Sequence, residues 1–180
     1  KQKIMSFKKI NILTIVVFAA AVMFTSCKKD DGAIPNRIKI EDVPAVSMNT
    51  ETGGIAASIS LATAGTFQGK FLASMFFPNE LPPTKIDISV RKSPKSTTVN
   101  NTNVKVFKTG ITTLPANFTI TVAELEALFG APIAKDQVYD FGPDIYVGEK
   151  KYEAFPAVGA GSGSGVNGMS GVKFGEYVRY

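Results

Sequence analysis

The chain contains no histidine and no tryptophan, and it has a single cysteine among its 180 residues. Without histidine there can be no Ser-His-Asp or Cys-His nucleophile system and no HExxH metal site, and one cysteine cannot form an intrachain disulfide or a zinc finger. These absences exclude many hydrolase and metalloprotein mechanisms. The composition, 44% hydrophobic with 16 glycines and 10 prolines, is sufficient for one or two small globular domains with a buried core.

Excess basic charge is confined to the N-terminus. The formal net charge is +5, from 20 basic and 15 acidic side chains. Lys1, Lys3, Lys8 and Lys9 precede residue 27 and no acidic residue does, so the rest of the chain is close to neutral. A phosphate-binding surface requires clustered lysine and arginine on folded structure. The sequence therefore predicts no nucleic-acid partner.

An uncharged segment, residues 10–26, follows Lys8 and Lys9, and its apolar run at residues 12–24 is broken only by Thr14. A helix that spans a bilayer requires about 20 apolar residues, whereas an export signal has a basic segment and then an apolar segment of roughly 7–15 residues. Residues 1–26 are therefore predicted to be a signal peptide, with Met5 as the initiator.

The uncharged segment leads through Thr25 and Ser26 directly into Cys27, the only cysteine. This arrangement resembles the lipobox of bacterial lipoproteins, in which the cysteine receives the lipid and becomes the new N-terminus. Each buried CH₂ of an acyl chain contributes about 0.8 kcal/mol, and two or more chains make the attachment stable. The resemblance implies a lipid anchor on Cys27 that does not cross the membrane. The alternative is an incidental cysteine at the cleavage site of a soluble exported protein.

Residues 27–43 are predicted to be a flexible tether that begins at the lipidated cysteine. Lys28, Lys29, Asp30 and Asp31 form a short charged run. Such a run resembles the export signal of surface lipoproteins of the Bacteroidetes, which implies an outer-membrane protein on the cell surface. A solvated spacer on a protein that faces the periplasm is the alternative.

Residues 44–180 are predicted to form mostly β-strands. Ile86, Ile88 and Val90 alternate with polar residues, which places the three on the buried face of a half-buried strand. Phe118 and Ile120 repeat the pattern and are expected to point into the same core. Further β-rich runs are residues 56–62, 67–77 and 104–106.

One short helix is predicted between strands. Thr121 and Glu124 have the spacing of a capping box, Leu125 and Phe129 follow on one helical face, and Gly130 provides a stop. The helix is expected to pack Leu125 and Phe129 over the open end of the core.

Residues 137–155 are predicted to form a hairpin. Two β-rich arms flank Gly148 and Glu149, and glycine at the first central position suits a type II′ turn. Gly142 and Pro143 are expected to kink the first arm, where a proline argues for an edge position or a bulge. The glycine- and serine-rich residues 159–165 have the composition of a flexible loop, without the Gly-Lys-Ser/Thr ending of a phosphate-binding loop.

This pattern indicates an immunoglobulin-like antiparallel β-sandwich with one short helix over residues 44–180, and a small barrel is the alternative. The last residues, Val178, Arg179 and Tyr180, are typical of a strand interior. We therefore expect a longer protein with a further domain after Tyr180.

The lipobox, the charged tether and residues 119–130, 138–141 and 151–155 are together similar to surface lipoproteins of the Bacteroidetes. These lipoproteins carry immunoglobulin-like domains and are often associated with Sus-type nutrient uptake systems. The resemblance implies a non-catalytic binding or accessory module with glycan or outer-membrane protein partners. Accessory proteins of the Sus type commonly bind glycans on tryptophan-rich platforms, and this chain has no tryptophan.

Two classes of function follow. A binding module could use Tyr146 and Tyr152, which flank the predicted turn and could form an aromatic platform for a glycan or a partner; the alternative is that they stabilise the hairpin as cross-strand neighbours. A structural, scaffold or adhesion subunit would bind no small molecule. An enzyme is not predicted, although Asp140 with Asp144 could in principle perform acid-base chemistry or hold calcium. No cofactor and no metal are predicted.

Overall fold

The computed structural model describes residues 43–51, 57–95, 101–169, 171 and 173–180. The predicted signal peptide, Cys27 and all of the tether but Val43 lie outside the described residues. The described part is mostly β, as predicted, with antiparallel sheets and few helices. Its elements are β1 (Val46–Thr50), a 3₁₀ helix (Leu61–Thr66), β2 (Gln68–Met75), β3 (Lys85–Pro94), β4 (Val104–Ile111), β5 (Ala116–Thr121), α1 (Val122–Phe129), β6 (Gln137–Val147), β7 (Lys150–Tyr152), α2 (Ser164–Asn167) and β8 (Val178–Arg179).

Two antiparallel sheets share one core. The first sheet has the strand order β1-β2-β5, and the second has the order β4-β3-β6-β7 with β8 also paired to β6. Phe71 of β2 stacks on Phe118 of its own sheet and contacts Phe141 of the second sheet, with both pairs of ring centroids 5.2 Å apart. This layering is consistent with the predicted β-sandwich.

Strand β3 is buried on both faces. Ile86, Ile88 and Val90 are fully buried in the core, as predicted. The opposite face, which the alternation predicted to be solvated, is buried as well, since Asp87 is only 6% exposed and Ser89 only 2%. The cause is a covering segment, residues 153–162, which follows β7 and contacts this outer face of the second sheet through Ala154, Phe155 and Ser162.

The predicted helix is confirmed as α1. Both hydrogen bonds of the capping box between Thr121 and Glu124 are present, and Gly130 ends the helix with a left-handed φ of 67°. Leu125 is fully buried in the core, and Phe129 packs against it in part.

The prediction of a strand over residues 56–62 is wrong for the described residues. Residues 57–60 belong to no strand, and Leu61 begins the 3₁₀ helix. Ile59 and Leu61 alternate as in a strand, but the intervening residues are alanine and serine, which lack the β-branched or aromatic side chains that favour pairing.

The prediction of a kink at Gly142 and Pro143 is also wrong. Strand β6 pairs with β3 without a break in register from Gln137 to Tyr146. On its other side, β7 pairs only with residues 145–147 and β8 only with Asp140 and Phe141. Pro143 therefore lies in the gap between β7 and β8, where a missing N–H interrupts no ladder.

The tight turn after β6 is confirmed. Val147 pairs with Lys150 across a two-residue loop, and Gly148 at its first central position has a φ of 60°, as a type II′ turn requires.

Candidate functional site

The strands run between two ends of the domain. At the first, which we call the entry end, Val43 and Ala45 lead into β1, and the N–H of Phe76 donates to the carbonyl oxygen of Ala45 at 2.8 Å. At the other, the far end, lie Thr50 of β1 and Gln137 of β6. Strand β3 has ten residues, so the two ends are about 30 Å apart.

A cleft of about 330 Å³ lies at the far end. It is formed by residues 57–61, by residues 133–139 before and within β6, and by the last residues of the chain, Arg179 and Tyr180. Its volume is within the range of small-molecule sites, which begins at about 300 Å³. A second cleft of about 340 Å³ is lined by only two charged residues, Glu51 and Lys70, whereas the first brings four together, so the first is the candidate binding site that we consider.

The cleft combines cationic, phenolic and apolar side chains. Lys95, Lys135 and Arg179 contribute positive charge against the single carboxylate of Asp136. The backbone of Asp136 has a left-handed φ of 59°, and its carbonyl oxygen accepts from the N–H of Lys95 at 2.8 Å, which fixes the rim. Ile133 adds an apolar surface. Such a lining suits a ligand with hydroxyl or carboxylate groups around an apolar ring face.

Both tyrosines of the cleft keep their protons at neutral pH. Burial, with a smaller contribution from Glu51, raises the pKa of Tyr180 to about 12, and its hydroxyl donates to the carbonyl oxygen of Lys70 at 3.0 Å. Burial, with a smaller contribution from Glu126, also raises the pKa of Tyr139. The hydroxyl of Tyr139 donates to Gln137 at 3.2 Å, so both phenolic protons are already bound within the protein.

The outer face of the second sheet holds a buried ionic network, centred on Asp140. Asp140 is fully buried and accepts hydrogen bonds from Arg91 at 2.7 and 3.2 Å and from Arg179 at 2.6 and 3.0 Å. The hydrogen bond to Asp140 raises the pKa of Arg179 against the opposing effect of burial. The guanidinium of Arg91 also donates to Asn101 and lies 4.3 Å from the ring centre of Phe155.

Asp144 is the second buried carboxylate of β6. It accepts hydrogen bonds from the hydroxyl of Ser89 at 2.8 Å and the N–H of Ala154 at 2.9 Å, and the ammonium of Lys151 lies 2.8 Å away. Burial lowers the pKa of Lys151, but the carboxylates of Asp144 and Glu153 outweigh that effect and raise it overall.

The structure does not bring Asp140 and Asp144 together as one site. They are four residues apart on the same face of a strand, about 13 Å along it, and each is already bound to cationic partners. Among the described residues there is no group of three or more side chains arranged to hold a metal ion. The network fixes the covering segment to the sheet.

The two tyrosines predicted to form a platform lie on opposite faces of the second sheet, so both the shared platform and its alternative, a cross-strand pair of the two rings, are wrong. Tyr146 pairs with Lys151, and Tyr152 pairs with Ile145, and neighbouring positions on a strand point to opposite faces. The hydroxyl of Tyr146 donates to Asp87 on the outer face at 3.0 Å. Tyr152 packs against the core. Ligand binding by either ring stays a prediction.

Sequence reasoning missed Arg91, Arg179 and Lys135. On β3, Asp87, Ser89 and Arg91 occupy every second position and point to the same face. On β6, Asp140 and Asp144 also share one face, so each strand has a polar face. That shared pattern could have indicated an ionic network. Lys135 lies in a loop without a repeating pattern, and no sequence signal marks it.

Within the part of the chain that the structure describes, no helix combines the length and hydrophobicity needed to cross a bilayer. Comparison of the chain with models of protein families, with curated proteins and with solved structures finds no significant match.

Proposed function

We propose that the protein is a non-catalytic surface lipoprotein, anchored in the outer membrane through Cys27, that acts as a binding or accessory module of a nutrient uptake system for glycans. The lipobox-like residues before Cys27 and the charged run after it support the location. In this proposal, the cleft at the far end is the ligand site.

The fold proposed for this module is immunoglobulin-like. The strand orders β1-β2-β5 and β4-β3-β6-β7 correspond to strands A-B-E and C′-C-F-G of that fold, in which C′ extends the sheet that contains C, F and G. The helix α1 then lies between strands E and F. This correspondence supports an immunoglobulin-like sandwich over a small barrel.

The observation that carries the proposal is the position of the cleft relative to the chain entry. A lipid on Cys27 tethers the domain from its entry end, where Val43 lies. The cleft lies at the other end, about 30 Å away. Attachment at the entry end would leave the cleft, at the opposite end, open to a glycan or a partner protein.

The chemistry of the cleft supports a glycan. Sugar hydroxyls both donate and accept, and they can bind Asp136 as well as Lys135. The side chains of Leu61, which is 52% exposed, and Ile133 offer apolar surface to a pyranose ring, while the rings of Tyr139 and Tyr180 lie buried behind them.

The test is an array of neutral and uronic-acid-containing glycans, probed with the full chain, followed by calorimetry on any hit. Lys135→Ala should weaken binding by about 10- to 150-fold, since a hydrogen bond to a charged group contributes about 1.5–3 kcal/mol. Lys105→Ala, on the exposed side of β4, is the matched control and should leave affinity unchanged. If both variants bind the glycan with equal affinity, the cleft is not the ligand site. Failure of every glycan to bind would favour the scaffold alternative.

A further inference from the structure

Two of the seven exposed large apolar side chains among the described residues lie on one loop at the entry end. Residues 76–84, which we call the apolar loop, join β2 to β3. Leu81 of this loop is 84% exposed and Phe77 is 40% exposed. Val147, 38% exposed, lies at the same end of the domain. The other four, Leu61, Val106, Val158 and Met169, lie elsewhere in the chain, so Phe77, Leu81 and Val147 are the group that can form a contact surface.

The apolar loop is held in place at both of its ends. At its start, the ring of Phe76 contacts the rings of Phe77 and Phe174, with centroids 4.9 and 5.2 Å away. At its end, the N–H of Thr84 donates to the carbonyl oxygen of Tyr146 at 2.8 Å, and the hydroxyl of Thr84 accepts from the N–H of Gly148 at 2.8 Å. The fold therefore presents Phe77 and Leu81 from a fixed base.

The point at which the chain enters the domain lies beside the apolar loop. The N–H of Phe76 binds Ala45, so the loop begins beside the point where the chain enters the domain. Fifteen residues lie between Cys27 and Val43, and the chain from one to the other can span at most about 55 Å even when fully extended. A lipid on Cys27 would therefore join the bilayer to the entry end, and the apolar loop begins beside this point of attachment.

We propose that the apolar loop docks on the lipid surface that holds Cys27, with Phe77 and Leu81 entering the boundary between headgroups and acyl chains. This inference rests on the proposed lipid anchor. Apolar side chains of peripheral proteins enter this boundary to a depth of about 5–10 Å. The contact would orient the domain upright, whereas the tether alone would leave it free to turn.

The experiment uses the full chain with its lipid, reconstituted in vesicles of phosphatidylethanolamine and phosphatidylglycerol. Lipidation consumes the thiol of Cys27, the only cysteine, so Leu81→Cys gives one free thiol for an environment-sensitive fluorophore. The matched control is Val158→Cys. Val158 is 91% exposed. It lies toward the far end of the domain, because Pro156, two residues before it, accepts a hydrogen bond from Asn101.

The fluorophore at Leu81→Cys should shift its emission to shorter wavelength and be quenched by lipids with a nitroxide on the upper acyl chain. The fluorophore at Val158→Cys should show neither effect. Equal quenching at the two positions, or none at either while the protein floats with the vesicles, would overturn the docking and leave the anchor intact. A shift without quenching would mean that protein covers the loop, which also overturns it. Failure of the wild-type chain to float with vesicles would refute the anchor, and the docking with it.

Discussion

Asp140 on β6 faces Arg179 on β8, and two hydrogen bonds of 2.6 and 3.0 Å join the carboxylate to the guanidinium. This pair attaches the last described strand to the centre of the second sheet. Because Arg179 also lines the cleft, the same interaction holds one wall of the proposed ligand site. The buried network therefore stabilises the second sheet and also positions Arg179 in the candidate site.

Replacing this carboxylate tests that role. Asp140→Asn keeps the shape of the side chain but leaves Arg91 and Arg179 without their buried counter-charge. The free energy of unfolding should fall by about 3–5 kcal/mol, as is typical when one partner of a buried ion pair is removed. Urea denaturation monitored by circular dichroism measures this. Glu51→Gln, in an exposed pair with Lys70, is the control and should cost less than about 1 kcal/mol. Similar values for the two variants would show that the network does not hold the sheet.

Gly142 tests the close contact between β6 and the covering segment. A Cβ at this position would lie 2.7 Å from Cβ of Ala154 and 2.9 Å from Cζ of Phe155, which is too close for either. Gly142→Ala should therefore destabilise the domain by about 1–3 kcal/mol, as overpacking does. Gly165→Ala, where a Cβ would meet nothing within 4 Å, is the matched control and should be neutral or slightly stabilising. Thermal unfolding compares the two, and an unaffected Gly142→Ala would show that the segment does not pack on β6.

Tyr180 gives a prediction of pH dependence. Burial raises the pKa of its phenol from the ordinary 10.0 to about 12, so the unfolded chain loses this proton at lower pH than the folded domain does. The contribution of Tyr180 is fully present below pH 10 and is lost as the pH rises through 12, by about 2–3 kcal/mol in total. In Tyr180→Phe the loss should be absent. The difference in unfolding free energy between wild type and variant, measured by urea titration from pH 8 to 12, should change with pH only above about 10. A constant difference would contradict the raised pKa.

The sequence predicted most of what depends on local patterns. The alternation of Ile86, Ile88 and Val90 identified a core strand, and the spacing of Thr121 and Glu124 identified the capped helix. These signals depend on neighbours in the chain, so a single sequence contains them.

The remaining features depend on contacts between distant residues. The outer face of β3 is buried because residues 153–162 cover it, and no local sequence pattern predicts that these residues pack there. The faces on which Tyr146 and Tyr152 lie depend on the length of the turn between them. With a two-residue turn, Tyr146 pairs with Lys151, so Tyr152, the next residue, points to the opposite face. The cleft joins residues 57–61, 133–139 and the last two residues, which only the tertiary fold brings together.

The lipid on Cys27 is the central claim, because the orientation of the cleft and the docking of the apolar loop both depend on it. The most direct measurement is incorporation of labelled palmitate by cells that express the full chain. The wild-type protein and Ser26→Ala, which keeps a small residue before the cysteine, should take up label and float with membranes. Cys27→Ala should take up none and should remain unprocessed or soluble. Wild-type protein recovered from the medium without lipid would contradict the account.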